Sequence, residues 1–182
     1  MPRMGFSLGN TFDGPQAAIS LGIDPGLNRT GYAVIVRTPR GPHLREGGVI
    51  RSTRSKTLPE RVHEIGQGLR EVIAEFQPDA MAVEQLFSHA EHVKTAILMA
   101  HARGAILFAA AEAAIPIVHY SPTQVKRLLT GSGRATKEQM QLAITRELSL
   151  EIVPEPNDVA DACAIALCHF HSRRMELMGA AG

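Results

Sequence analysis

Four acidic residues are notable in this sequence because each borders an apolar segment. Asp24 closes the run SLGID and Glu84 closes AMAVE. Asp158 and Asp161 form a D-x-x-D step at the head of an apolar helix. Carboxylates at the ends of buried strands repel one another unless a cation lies between them. A pair of bound divalent ions commonly relieves this repulsion, and enzymes use such pairs to hydrolyse phosphodiesters. The simplest interpretation is therefore a metal-dependent nuclease.

Three of the four acids also have an ordinary structural explanation. Asp24 precedes a Pro-Gly turn, which an aspartate favours by itself. Asp158 and Asp161 could be favourable charges at a helix N-terminus. Glu84 is harder to explain in this way, because a glutamate directly after an apolar strand is poorly solvated. Together the four acids fit one shared site better than they fit separate accidents.

The hydrophobic pattern predicts an α/β fold. Short apolar runs predict strands at 20–24, 30–37 and 43–52, and their short connections favour an antiparallel meander. Apolar residues at helical spacing predict an amphipathic helix at 58–76. Further strands are predicted at 80–84 and 116–120, and further helices at about 91–113, 122–131, 136–149 and 158–175. This order predicts a mixed five-stranded sheet, three strands antiparallel and two parallel, flanked by helices.

In such a sheet the acids would converge. Asp24 and Glu84 would end neighbouring strands, and Asp158 and Asp161 would lie about one turn apart on one helical face. Such a cage of carboxylate oxygens suits Mg²⁺ or Mn²⁺ better than softer metals. Two ions roughly 4 Å apart could activate a water and stabilise the leaving 3′ oxygen.

The composition is that of one globular domain. The chain has 182 residues, of which 45% are hydrophobic and 20% charged, and its net charge of +1 neither requires nor excludes a nucleic-acid partner. No membrane span is expected, because the longest apolar stretch, 96–117, is interrupted by charged residues. Cys163 and Cys168 are the only cysteines and lie on different faces of one predicted helix. We expect them to pack as small apolar residues of a reduced, cytoplasmic protein.

One segment is locally basic. Residues 121–146 carry five positive side chains against the single acid Glu138, a local net charge of +4. The positive residues are Lys126, Arg127, Arg134, Lys137 and Arg146. A flexible Gly-Ser-Gly joint at 131–133 could bring backbone amides close to a phosphate. A solvated helix face is the commoner fate of scattered lysines and arginines, but the local excess and the joint favour contact with DNA.

Five linked motifs carry a family resemblance: LGIDPGLNRTGYAVI, AVEQLF, HARGA, SPTQVKRLLTGSG and DVADACAIALCH. Their order and spacing over about residues 20–172 resemble the RuvC family of Holliday-junction resolvases. The resemblance implies the ribonuclease-H-like fold and Mg²⁺-dependent cutting of four-way DNA junctions in recombination and repair. We expect the nuclease domain at 20–175, after a flexible N-terminal extension at 1–19 and before a flexible tail at 176–182.

The resemblance also implies roles for particular residues. The family's catalytic and metal-binding carboxylates correspond to Asp24, Glu84, Asp158 and Asp161, which implies two Mg²⁺ ions per active site, with Mn²⁺ as a substitute. Lys126 and Lys137 match positions implicated in holding DNA near the metal site, and Arg127 and Arg134 extend that basic surface. Arg103 within HARGA is expected to order the contact between sheet and helix, and contact with DNA is the open alternative.

Phe87 matches an aromatic residue that the family places at the junction, where it can stack on bases. The alternative is that Phe87 packs in the core, although the polar run after it favours an exposed loop. The stretch from Phe87 to HARGA departs from the family pattern, so no cut-site preference is carried over.

Partners follow from the chemistry. Symmetric paired cuts imply two active sites and therefore a two-fold homodimer. The alanine-rich helix around 96–111 is a candidate interface, unless it packs only on its own sheet. The resemblance further implies branch-migration helicase machinery as a partner. Two alternatives remain open here: a ribonuclease-H-like nuclease that processes structured RNA, and a non-catalytic junction-binding scaffold.

Overall fold

The protein, analysed as a computed structural model, is described over residues 4–7, 18–85 and 93–179, with side chains described from 18 to 85 and from 93 to 173. Its strands are β1 Met4–Ser7, β2 Ile19–Asp24, β3 Arg29–Thr38, β4 Gly41–Arg51, β5 Ala80–Glu84 and β6 Ile117–Tyr120. Its helices are α1 Leu58–Phe76, α2 Val93–Glu112, α3 Pro122–Thr130, α4 Lys137–Glu147 and α5 Asn157–Gly179. The predicted strands and helices are therefore present, with ends shifted by a few residues.

The sheet is mixed, as predicted. Its order is β1-β4-β3-β2-β5-β6. Strands β2, β3 and β4 pair antiparallel, whereas β5 pairs parallel to both β2 and β6. This confirms the predicted fold class and places β2 and β5 side by side in the interior of the sheet.

The N-terminus departs from the expected five strands. Residues 4–7 form β1, which pairs antiparallel with β4 at the edge of the sheet, so the described sheet has six strands. A four-residue edge strand has too short a pattern to be recognised, and its pairing with β4 decides its conformation. Helix α5 also continues to Gly179, beyond the predicted end of the domain at residue 175. Flexibility of the two termini stays a prediction.

Helices cover both faces of the sheet. Alternate residues of β3 separate into two cores, with Ala33 and Ile35 facing α5 while Tyr32 and Val34 face α1 and α2. Helices α3 and α4 pack beside α5. Among its residues with described side chains, up to 173, helix α5 is mostly buried, and this includes the free cysteines Cys163 and Cys168, as the sequence predicted.

Two glycines let α5 lie very close to the sheet. A Cβ on Gly22 of β2 would overlap the backbone oxygen of Ala162, and a Cβ on Gly31 of β3 would overlap that of Asp158. Only glycine permits this approach of helix to strand. The first turn of α5 is thereby fixed at the edge of the sheet where β2 ends.

Helix α2 has an apolar surface that the described chain does not cover. It buries Ala102 and Ile106 but exposes several large apolar side chains, namely Val93, Ile97, Leu98 and Phe108. By length and composition alone α2 could cross a membrane, with 22% of its apolar window buried, and one such helix is only a weak indication. Its packing against α1 and the core of the sheet gives it an ordinary place in the fold.

Candidate active site

The ends of the two central strands bring the first two acids together. β2 and β5 run parallel in a register that pairs Ile23 with Val83. Asp24 and Glu84 follow directly, so both carboxylates lie at the same edge of the sheet. The expectation that they end neighbouring strands is confirmed.

Helix α5 adds the other two acids. Asp158 and Asp161 lie in its first turns, where the helix backbone contacts the sheet closely because Gly31 has no side chain. Burial, together with the charges of Glu84, Asp161 and Asp158, raises the pKa of Asp24 to about 8. Four carboxylates far apart in the sequence therefore interact electrostatically in one place.

The neighbouring acids respond to the same environment. Burial, followed by the charge of Asp161, raises the pKa of Glu84 to about 7, while Arg103 and Lys126 oppose the shift. Partial burial raises the pKa of Asp161, Lys137 opposes this shift, and Asp158 adds to it. Burial is the largest cause of all three shifts and repulsion between the acids adds to it, so the nearby positive side chains do not fully compensate these carboxylates.

Asp158 has a basic neighbour that the sequence did not reveal. Nη2 of Arg29, at the start of β3, lies 3.2 Å from Oδ2 of Asp158. The Arg29 side chain is 47% exposed, whereas that of Asp158 is only 17% exposed. The contact is an ion pair without hydrogen-bond geometry, because the buried Oδ2 has no hydrogen-bond partner among the described residues. The only signal in the sequence was a basic residue just after the Asp-Pro-Gly turn.

Two predicted lysines complete a pocket next to the acids. The pocket has a volume of about 180 Å³, and Glu84, Asp161, Lys126 and Lys137 supply its charged groups. Its remaining lining comes from α3, α4 and α5 and is largely apolar. A carboxylate-and-ammonium pocket of this kind can hold a phosphate beside hard cations. Arg127 and Arg134 are exposed and are not part of the pocket lining.

Helix caps fix the two lysines in place. Ser121 and Gln124 form a capping box at the start of α3, and Thr136 and Gln139 form another at the start of α4. Lys137 is consequently the first residue of α4, directly after its cap. Local sequence thus orients the basic segment toward the acids.

Arg103 of α2 joins the helix to two strands. Its Nη1 donates to the backbone oxygen of Glu84, and its Nη2 lies 2.7 Å from Nδ1 of His119 on β6. This confirms the expectation that Arg103 orders the contact between sheet and helix. The contact also holds a positive charge behind Glu84, where it favours the ionised carboxylate.

The donor set fits a hard divalent cation, although the described residues do not form a finished cage. No three acidic, histidine or cysteine side chains in the described ranges are close enough together to be a ready-made ligand set. The grouped acids are nevertheless all oxygen donors, and Oδ2 of Asp158 lacks a hydrogen bond within that part of the chain. Phe87 lies outside the described residues.

A mixed sheet of this order, with acids ending two neighbouring strands and beginning a helix packed across them, defines a ribonuclease-H-like nuclease. The family model described as crossover junction endodeoxyribonuclease RuvC matches residues 20–169. The chain belongs to this family of endodeoxyribonucleases.

Individual relatives agree with this assignment. The crossover junction endodeoxyribonuclease RuvC of Rhodopirellula baltica is 61% identical over 155 residues, which cover 84% of this chain and 86% of the relative. The structure of Thermus thermophilus RuvC superimposes with a TM-score of 0.81 at 37% identity, over 87% of this chain and 96% of that one. The same Thermus protein in complex with a Holliday junction substrate gives a TM-score of 0.80 at 38% identity, over 86% of this chain and 96% of that one.

Proposed function

We propose that this protein is a structure-specific endonuclease that resolves four-way DNA junctions by hydrolysing one phosphodiester in each of two strands of like polarity. The observation that carries the proposal is the convergence of Asp24, Glu84, Asp158 and Asp161 at one edge of the sheet, in a chain that belongs to the RuvC family. The junction-bound Thermus relative supports this choice of substrate over structured RNA.

We assign the four acids to the binding of two Mg²⁺ ions, for which Mn²⁺ can substitute. When bound, such ions supply an activated water and stabilise the leaving 3′ oxygen. Cations at this edge would also favour the ionised forms of Asp24 and Glu84, whose pKa values are raised to about 8 and about 7. The excess of negative charge supports this assignment.

The basic residues are proposed to hold the DNA. Lys126 and Lys137 share a pocket with Glu84 and Asp161, so a phosphate at the acids would lie within their reach. An ammonium at this point also stabilises the negative charge that develops on the phosphate. We propose that Arg127 and Arg134 extend the contact to neighbouring phosphates. A stacking role for Phe87 stays a prediction.

We propose that the protein acts as a two-fold homodimer through α2. Exposed Ile97, Leu98 and Phe108 lie on one helix, and large apolar side chains exposed together commonly mark a protein interface. Light scattering at micromolar concentration should give a dimer for the wild type and a monomer for Ile97→Glu. A monomeric wild type would contradict the interface.

Two finer proposals concern the cell. The protein is proposed to act in the cytoplasm, and its two free, buried cysteines are in keeping with a reducing compartment. Branch-migration helicase machinery is proposed as a partner, because a junction must be positioned before paired cuts release two duplexes.

Cleavage of matched substrates tests the function. A synthetic four-way junction, a linear duplex with the same sequences and a structured RNA are incubated with the protein and Mg²⁺. We expect symmetric nicks in the junction and no comparable cutting of the other two. Preferential cutting of RNA would favour the RNA nuclease, and tight junction binding without any cleavage would favour the scaffold.

A further inference from the structure

A second group of positive side chains lies at the same edge of the sheet as the acids, away from α3 and α4. β3 begins at Arg29, β4 ends at Arg51, and Arg54 follows in the turn before α1. We refer to these three residues as the arginine edge. None of them belongs to the basic segment 121–146.

The sheet order separates the arginine edge from the basic segment. β3 and β4 lie on one side of β2, whereas β5 and β6 lie on the other. Lys126 acts on Glu84 at the end of β5, while Arg29 acts on Asp158 at 3.2 Å. The acids therefore lie between two positively charged surfaces.

The strand register concentrates charge on the arginine edge. Arg29 and Arg51 are direct partners in the antiparallel pair of β3 and β4. Like charges directly opposite each other in a sheet are unfavourable unless something negative compensates them. Asp158 compensates Arg29, but Arg51 and Arg54 are exposed and form no ion pair with the described residues.

Two acids near these arginines, Glu64 and Glu60, have other partners. Glu64 accepts hydrogen bonds from Thr53 and pairs with Lys56 at 2.7 Å. Glu60 accepts from Thr57 in the capping box of α1. The positive charges of Arg51 and Arg54 are thus left available to a ligand.

The two loops that carry the arginine edge are fastened to each other. Arg61 of α1 donates to the side chains of Asn28 and Ser52, one from each loop. The Ser52 amide also donates to the Asn28 backbone oxygen, and the Ser52 hydroxyl donates to that of Leu27. The backbone that carries these arginines is therefore held in place before a ligand arrives, which lowers the entropic cost of binding.

We propose that the arginine edge binds the phosphodiester backbone of the DNA arm on the side of the cut opposite α3 and α4. This inference rests on the proposed function, since it assumes that a junction strand crosses the acids. A strand bound on both sides of the scissile phosphate is held over the catalytic carboxylates. A strand bound on one side only can move away from them.

The salt dependence of binding tests this proposal. Junction affinity is measured between about 50 and 200 mM salt in an Asp24→Asn background, with Arg51→Ala/Arg54→Ala compared against the parent. The slope of log K against log salt is negative, and each lost phosphate contact makes it shallower by about 0.9. For the double variant we therefore expect a slope shallower by about 2, together with roughly tenfold weaker binding. Arg54→Ala alone, in an exposed turn, should make the slope shallower by about 1 if the double variant proves unstable.

A matched pair controls for charge alone. Arg40 and Arg173 are exposed at the opposite end of the sheet, because Arg40 lies in the turn between β3 and β4, and Arg173 lies near the end of α5 that contacts Arg37. Arg40→Ala/Arg173→Ala should leave the slope unchanged. The proposal would be overturned if both double variants had the same salt slope as the parent. It would also be overturned if Arg40→Ala/Arg173→Ala changed the slope as much as Arg51→Ala/Arg54→Ala does.

Neutral phosphates identify the arm. Methylphosphonates are placed on one side of the cut or on the other, and binding is measured with parent and variant proteins. Methylphosphonates on one side of the cut should weaken DNA binding by the parent but not by Arg51→Ala/Arg54→Ala, and those on the other side should weaken binding by both proteins. Additive losses on both sides would refute the arginine edge, while the proposed function would fail separately if the wild type did not cut the junction.

Discussion

The α-carbon of Gly31 lies so close to the backbone oxygen of Asp158 that no side chain fits between them. Gly31 is also the direct strand partner of Asp24. A single close contact thus brings the first turn of α5 to the end of β2. The distance between the acids of the strands and the acids of the helix depends on this glycine.

Substitution of Gly31 should therefore damage both stability and activity. In Gly31→Ala, the new methyl group must push α5 away from β3, and overpacking of this kind costs about 1–3 kcal/mol of the free energy of unfolding. Junction cleavage should fall at least about tenfold even where the protein is folded, because Asp158 moves with the helix. Chemical denaturation and single-turnover cleavage measure the two effects.

Gly104 provides the matched control for Gly31. It lies within α2, and a Cβ placed on it meets no atom within 4 Å. Gly104→Ala should stabilise the protein by about 0.5–1 kcal/mol, because alanine is the better helix former. If Gly31→Ala behaved like Gly104→Ala, the close contact would not be what positions α5.

The crowded acids predict an unusual dependence of stability on pH. The pKa of Asp24 is about 8 in the folded protein, against an ordinary value of 3.8. Between these pH values the folded chain binds more protons than the unfolded chain, so stability is fully present below about pH 4 and falls as the pH rises toward 8. Asp24→Asn removes this loss and should be more stable than the wild type at pH 8 by about 1–3 kcal/mol.

Urea unfolding in EDTA at pH 5 and pH 8 measures this difference. The advantage of Asp24→Asn should shrink at the lower pH, because the wild-type carboxyl is then largely protonated in the folded state. Glu138→Gln, on the exposed surface of α4, is a control in which no such stabilisation at high pH is expected. An Asp24→Asn variant less stable than the wild type at pH 8 would show that a compensating charge already faces Asp24.

Arg103 is predicted to act as a positioning residue. Its guanidinium holds the backbone at Glu84 and contacts His119, so Arg103→Ala frees the end of β5 without removing a carboxylate. We expect the single-turnover cleavage rate to fall about tenfold with less than about a twofold change in junction affinity. Arg103→Lys should recover only part of the rate, because an ammonium cannot reproduce the planar fork.

Arg70 controls for the general loss of an arginine that contacts α2. It pairs with Glu112 at 2.6 Å between α1 and α2, on the exposed surface. Arg70→Ala should leave the cleavage rate unchanged. A loss of affinity in Arg103→Ala that matched its loss of rate would indicate that Arg103 binds DNA rather than positioning Glu84.

Much of the fold was readable from the sequence because its elements carry strong local patterns. The helix at 58–76 was predicted with its observed bounds, since its apolar residues recur regularly and Pro78 follows its end. The acids were recognisable because each ends or begins an apolar element, and the sheet then brings Asp24 and Glu84 together.

Features that depend on distant pairing were missed. β1 is a strand only through its pairing with β4, and nothing in MGFS distinguishes it from a loop. The contact between Arg29 and Asp158 joins residues at opposite ends of the domain, and the register of Arg29 with Arg51 requires the sheet itself. Tertiary contacts, which local propensity cannot encode, decide these features.

The central claim is that the convergent carboxylates carry out metal-dependent hydrolysis of a junction. It is tested most directly by single-turnover cleavage of a four-way junction by Asp24→Asn in Mg²⁺, with affinity measured in parallel. We predict a rate at least about 10³-fold below that of the wild type at unchanged affinity, because the variant lacks one of the carboxylates proposed to bind the metal but keeps its DNA contacts. A rate within about tenfold of the wild type would contradict the claim.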